Sequence, residues 1–464
     1  MAANRDELNL GVKRPRMDLT EKMKQWLAER DVVNLEMMVA DMAGVARGKM
    51  QPTAQLSAKG MKLPIAIFAQ TINNDYYMPK ENVADRDMNL QPDVDTLRLV
   101  PWAKERTASV LMDCYDIDGR PVETSPRAVL KRVLEAYGER DWTPVVAPEV
   151  EFYLIQNSEA LPGEDEFSEG AVAVESDANL SELSDPYGLQ SLHDLGGFFE
   201  DLSAQCRTQD IHLGAVSQEL GPAQFEVNFE HGAPLKLADD VFHFKRTIKQ
   251  VATAHGMRAT FLAKPLTDGA GSSMHIHQSV YDAENANVFS DSDGEASELF
   301  DFYLGGLQKY MRSMLLLFAP YANSYRRFLN YYASPINLEW GVDNRTAGLR
   351  VPRSDANARR VENRLAGSDV NPYLAIAASL ACGYLGMTEK VPARPAVTES
   401  AQELPFALHR HLYEALDALR ESSELHEILG AEFVTQYCAV KELEYRDFQQ
   451  HISDWERDNL MFSV

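Results

Sequence analysis

Apolar residues recur along this chain with two periods. Short runs such as VNLEMMVAD and LPIAIFA, within 33–50 and 60–70, are strand-like and predict a small N-terminal unit. A turn-rich stretch, YDIDGRPVETSPR, gives way to AVLKRVLEAYGER, where Val129, Leu130, Val133 and Leu134 recur at helical spacing. That change predicts a boundary between a first domain, residues 17–118, and a second, residues 119–464. Further strand-like runs (APEVEFYL, AQFEVNF, ATFLAKP, SSMHIHQSV, TAGLRVP) alternate irregularly with helical patterns. DDVFHFKRTIKQVATAHG opens with acids, closes on His255 and Gly256, and predicts one helix. The tail from about residue 404 reads as helices. This mixture predicts an α+β fold with a largely antiparallel sheet, not a doubly wound βαβ fold.

Polar residues interrupt four of these runs in phase with the strand period. In VVAPEVEFYLI, Glu149 and Glu151 point one way while Val150 and Phe152 point the other. Two carboxylates that close raise each other's pKa unless one is protonated or a cation holds them. In SQELGPAQFEVNF, Glu219 precedes a Gly-Pro turn and Glu226 follows on the return strand, sharing its face with Gln224 and Asn228. His275 and His277 share a face in GSSMHIHQS, and Glu362 lies between Arg360 and Arg364 in ARRVENRLAG. Any one of these residues alone would more often be a satisfied core polar group than a ligand. Five glutamates and a histidine together suggest more.

Charge and cysteine usage narrow the class. The 464 residues carry 45 basic and 70 acidic side chains, a net charge of −25, which argues against nucleic-acid binding and anionic membranes. Cys114, Cys206, Cys382 and Cys438 form no CxxC pair and predict reduced thiols. MLLLFA, at 314–319, is too short to span a bilayer, and the polar N-terminus lacks the apolar core of a secretory signal. A cytoplasmic protein is expected.

Carboxylates with one imidazole suit Mg²⁺ or Mn²⁺, and the set is large enough for two ions. Paired metals flanked by arginines suit phosphoryl transfer, and Arg326, Arg327, Arg345, Arg350, Arg359, Arg360 and Arg364 are available. No P-loop and no kinase glycine loop occurs, so a nucleotide would be held by another fold. A glycosidase acid pair is disfavoured, because its carboxyls must flank a sugar bond.

PEVEF, ELGPAQFE, KPLTDGAGSSMHIHQS, NSYRRF, WGVDNRTAGLRVP, RRVENRLAG and DVNPYLAIAASLACG, in this order, resemble the glutamine synthetase family. The resemblance covers about residues 120–464, and more loosely DMAGVARGK and DMNLQPDVDTLRLVPW before them. It implies a small β-grasp-like N-terminal domain, a large antiparallel catalytic domain, and a homo-oligomer. That assembly would be a dodecamer of two hexameric rings with active sites between subunits. It implies ATP as co-substrate, glutamate and an amine as substrates, and two Mg²⁺ (or Mn²⁺) ions per site. By the same resemblance Glu151, Glu219 and Glu226 hold one ion, and Glu149, His275 and Glu362 the other. His277, Ser279 and Arg360 match nucleotide contacts, and Arg350 lies beside them. Arg327, Arg364 and Gly271 match positions that hold glutamate, with Glu151 and Tyr187 lining the substrate pocket. Arg345 and Arg350 match groups that neutralise the transferred phosphoryl. The implied reaction runs through a γ-glutamyl phosphate attacked by a neutral amine. For an amine of pKa about 10.4, deprotonation at pH 7 costs about 4.6 kcal/mol, so an acidic residue, here Glu219, is expected to take the proton.

The departures bear on the acceptor. Ala333 and, by a looser match, Ala69 stand where ammonia-using members carry the acids of their ammonium site. Ala270 stands where many members carry an asparagine, and Asn357 where a basic residue is common. The segment 390–406 lacks the NLYDLP run that carries a regulatory tyrosine. This pattern is more similar to γ-glutamylamine synthetases acting on putrescine or polyamines.

Overall fold

The computed structural model describes residues 21–56, 61–77, 85–156, 185–329 and 334–464, and the strands among them fall into two sheets. The first contains β1 (Asn34–Ala40), β2 (Ala46–Pro52), β3 (Met61–Pro64), β4 (Asp87–Pro92), β5 (Arg98–Leu99) and β6 (Thr107–Tyr115). Its order is β2-β1-β6-β4-β3 with β5 on β6, and only β1 and β6 run parallel. LPIAIFA is not one strand. Pro64 closes β3, and Ile65–Ala69 tightens into a 3₁₀ helix, because proline gives the ladder no N–H.

The second sheet contains β7 (Thr143–Gln156), β8 (Leu213–Gln218), β9 (Gln224–Phe229), β10 (Met257–Thr260), β11 (Met274–Tyr281), β12 (Trp340–Val342), β13 (Leu349–Val351) and β14 (Val361–Asn363). Its order is β12-β13-β14-β11-β7-β9-β8 with β10 on β7, and every neighbour but β12–β13 is antiparallel. The α+β expectation holds. One face is apolar: Val150, Phe152, Phe225, Val227, Met274 and Ile276 are buried, and Phe152 meets Phe225 and Phe244 ring to ring. Helices Pro126–Gly138, Pro234–Ala254 and Pro372–Glu389 cover it. The other face carries the polar residues.

Helix Pro234–Ala254 begins five residues before the acids that the sequence suggested as its first turn. Pro234 takes the first helical position, where its fixed φ is already helical. Asp239 and Asp240 are therefore buried inside the helix, bonded to Arg127 and Arg98. Helix Pro372–Glu389 is buried nearly all round and crosses Glu298–Tyr310 at a glycine pair. A Cβ on Gly306 would lie 2.4 Å from Gly386 Cα, so only glycine allows this approach.

Arg127 joins the two sheets' surroundings. It donates to Asp93 and Asp113 at 2.7 Å and to Asp239 at 3.0 and 3.1 Å, while Tyr373 donates to Asp239 at 2.6 Å. Arg246 reaches Glu36, and Asn371 reaches the Asp41 carbonyl, both at 2.9 Å. The C-terminal region is helical (Leu412–Glu421, Ser423–Leu429, Ala431–Gln450, Asp454–Leu460). All four cysteines are buried and unpaired. Among the described residues no helix is long and apolar enough to cross a membrane.

Candidate active site

Strand register gathers the polar residues. Residues directly opposite each other share a face, and the ladder sets three rows side by side. Glu151 stands opposite Glu226, which stands opposite Ser217. Glu149 stands between Asn228 and His275. His277 stands between Ala147 and Glu362, and Glu362 opposite Arg350.

Two sets of donor atoms emerge. One atom each from Glu149, His275 and Glu362 lie within 4.8 Å of one another, as do one each from Glu151, Glu226 and His275. The first trio is the set expected for one ion. The second includes His275 and not Glu219, which sits just beyond β8 at a tight turn closed by its N–H on the Gln224 carbonyl (2.8 Å). Ala223 makes that turn with a positive φ of 50°. Glu219 is still near enough for its charge to act on Glu151 and Glu226.

The two trios differ in their counter-charges. Burial opposes ionisation of Glu149, yet bonds to His275 (3.4 Å) and His277 (3.1 Å) hold its carboxyl well below the usual range. Glu362 is buried too, but Arg364, His275 and His277 bring it down to about 2. Arg350 donates to Glu362 at 2.8 Å, and Arg364 donates to its other oxygen. Arg360 Nε donates to His277 Nδ1 at 3.3 Å, which leaves the proton on Nε2, facing Glu149. Burial and the nearby Arg364 lower His275, so its ring is a neutral donor.

In the second trio, burial and the charge of Glu219 push Glu151 up to about 8. Burial, with Glu149, Glu151 and Glu219 around it, pushes Glu226 up to about 9. Their hydrogen bonds are neutral: Ser273 N–H (2.8 Å) and Gln224 Nε2 (3.0 Å) to Glu151, and Asn228 Nδ2 (3.2 Å) to Glu226. Burial likewise raises Glu219, against the pull of exposed Arg345. Buried oxygens with too little positive charge around them, plus a neutral imidazole, form the donor chemistry a hard divalent cation needs. That argument fits an ion at the second trio, while the first offers two carboxylates and an imidazole whose donor atoms lie within 4.8 Å of one another.

The other expected residues border this face. Arg327 is buried, donates to Ser273 Oγ at 2.7 Å and to the Leu365 carbonyl, and leaves Nε unpartnered. Gly271 lies against it, where a Cβ would come within 2.4 Å of Arg327 Cγ. Ser279 is buried, two residues beyond His277 on β11. Tyr187 is exposed at positive φ (63°), its N–H on the Gln218 carbonyl (3.1 Å) beside Glu219. Ala270 is buried, and its carbonyl accepts from Tyr153 Oη at 2.7 Å. The Asn357 carbonyl accepts from Tyr281 Oη (3.1 Å) and Asn287 Nδ2 (3.0 Å). Ala69 is buried at the end of the 3₁₀ turn, and Ala333 lies outside the described residues. Sequence reasoning passed over Ser273 and Ser368, which bond Glu151 at its carboxylate and its carbonyl. Small serines in a loop carry no periodic signal.

Comparison with known proteins points to one family. The family model for the glutamine synthetase catalytic domain matches residues 123–460. Glutamate–isopropylamine ligase from a Pseudomonas species is 33% identical, over 94% of this chain and 96% of its own length. γ-Glutamylputrescine synthetase PuuA from Escherichia coli strain K12 is 32% identical, over 94% and 93%. A solved structure of a GmaS/ADP complex superposes with a TM-score of 0.81 at 27% identity, covering 94% of this chain and 98% of that one. The chain belongs to the glutamine synthetase family.

Proposed function

We propose that this ATP-dependent ligase joins the γ-carboxylate of glutamate to an organic amine through γ-glutamyl phosphate, with putrescine or a polyamine the favoured acceptor. Enzymes of the family use ATP and divalent metals. Glu149, His275 and Glu362 would hold one ion; Glu151 and Glu226, with Glu219 beside them, the other. Such ions, when bound, neutralise phosphate charge and orient the transferred group. The protein's own part is positioning. His277, Ser279 and Arg360 hold the nucleotide, Arg327, Arg364 and Gly271 the glutamate. Arg345 and Arg350 neutralise the phosphoryl group as it moves to the γ-carboxylate. Glu219 takes the acceptor's proton, so that a neutral nitrogen attacks the acyl phosphate and releases phosphate.

Ala69 carries the acceptor reading. An ammonium site needs negative charge around a small cation, and this buried position offers a methyl group. Alanine at 333 and two relatives whose names specify organic amines support the same reading. The net charge of −25 suits a polycationic substrate.

The same reading includes a double-ring dodecamer in which the N-terminal unit serves a neighbour's site. Sedimentation analysis tests the assembly. The acceptor test is phosphate release from ATP and glutamate with ammonia, putrescine, spermidine, cadaverine, ethanolamine and a monoamine in parallel. Turnover on di- or polyamines with little on ammonia is expected. Best turnover on a monoamine would move the acceptor class, and best turnover on ammonia would overturn the reading of the two alanines.

A further inference from the structure

Behind the glutamate side of the site, one lysine holds a loop that bonds Arg327 and Glu151. Lys245, on helix Pro234–Ala254, donates from Nζ to the Ser368 carbonyl (2.6 Å) and the Val370 carbonyl (2.9 Å). These carbonyls flank Asp369, whose carboxylate accepts from Ser324 Oγ at 2.6 Å. Ser324 lies in helix Ala322–Arg326, which ends against Arg327, and its hydroxyl also accepts the Tyr321 N–H (3.1 Å).

Other bonds of the loop go to the site itself. The Ser368 N–H donates to the Ser272 carbonyl at 3.0 Å, and Ser368 Oγ donates to the Glu151 carbonyl. The Leu365 carbonyl accepts from Arg327, and Gly367 bridges to Ser273, which bonds both Arg327 and Glu151. Among the described residues, no hydrogen bond of this loop reaches His277, Ser279 or Arg360.

We infer that Lys245 is a positioning residue for the glutamate half of the site, holding loop 365–370 so that Arg327, Ser273 and Glu151 keep their mutual geometry. The inference rests on the reading that Arg327 and Glu151 bind glutamate. Burial lowers Lys245 to about 7, against the pull of Asp369, but two carbonyls need only two N–H groups, which ammonium and neutral amine both supply.

The test measures steady-state kinetics of the full-length enzyme, with glutamate and ATP varied separately. In Lys245→Met, KM for glutamate is expected to rise about ten- to a hundredfold, the effect of a displacement near 1 Å, while KM for ATP stays within about twofold. Lys245→Arg restores two donors and should recover most of the loss. Ser324→Ala cuts the same chain at its far end and should show the same split. If Lys245→Met does not fold, Ser324→Ala decides. An unchanged KM for glutamate in a folded variant, or equal rises in both constants, overturns the inference. A wild-type enzyme whose phosphate release ignores glutamate overturns the reading of Arg327, and this inference with it.

Discussion

The two donor trios lie on one sheet face and share His275, yet they are electrostatic opposites. Around Glu149 and Glu362 the protein supplies two guanidinium groups, Arg350 and Arg364, and hydrogen bonds from two imidazoles. Around Glu151 and Glu226 it supplies amides, a serine N–H and a further carboxylate nearby. The first trio is neutralised before any ligand arrives. The second holds protons until a cation displaces them. Under the proposed function this asymmetry serves a site that meets both ATP and an amine: positive charge is fixed at the first trio, and the carboxyls of the second become anionic once a cation takes the place of their protons.

The contrast should be widest in stability without metal. Glu362→Ala strands Arg350 and Arg364 beside an empty, buried space, and should cost about 3–5 kcal/mol. Glu226→Gln replaces a carboxyl that already holds its proton at pH 7 with an isosteric amide, and should cost less than about 1 kcal/mol. Denaturant melts of the chelated proteins check this; equal losses would erase the distinction.

Activity should then bring the trios together again. With metal, ATP and glutamate present, Glu226→Ala and Glu362→Ala should each lose about 10²–10³-fold in kcat. Full turnover by either variant would refute the assignment of two ions.

The subtlest expected difference is in protons. The folded Glu151 carboxyl keeps its proton to about pH 8, whereas unfolding returns it to about 4.5, so metal-free stability falls as pH rises across that window. Glu362 works in the other sense: its contribution is present above 4.5 and fades as pH falls toward 2. Cation binding at pH 7 should release about one to two protons, read by calorimetry in buffers of different ionisation heat. Glu226→Gln should cut that release, and Glu362→Gln should not.

What the sequence made legible follows from the strand period. Alternation alone puts Glu149 with Glu151, His275 with His277 and Glu362 with Arg364, and the structure has each pair on one face. Register across strands is not written in any one strand. The placement of His275 in both trios emerges only when β11 slides against β7 and pairs it with Glu149. That Glu219 stands outside the second trio was illegible for a related reason, since its position depends on a turn through Ala223 at positive φ, which alanine rarely adopts. Lys245 was invisible inside a helix whose existence, though not its start, was anticipated, because periodicity says which residues face inward, not which carbonyls they meet.

Arg127 has a consequence for recombining relatives of this enzyme. A cut near residue 118 falls in an exposed turn and suits the chain's covalent path. Yet Asp93 and Asp113 lie before that cut, Asp239 after it, and all three converge on one guanidinium. A chimera joined there would inherit part of a charge set designed as a whole. Exchange of the front unit therefore has to carry its aspartates and its arginine as one heritable block, or leave a charge without its match in the seam.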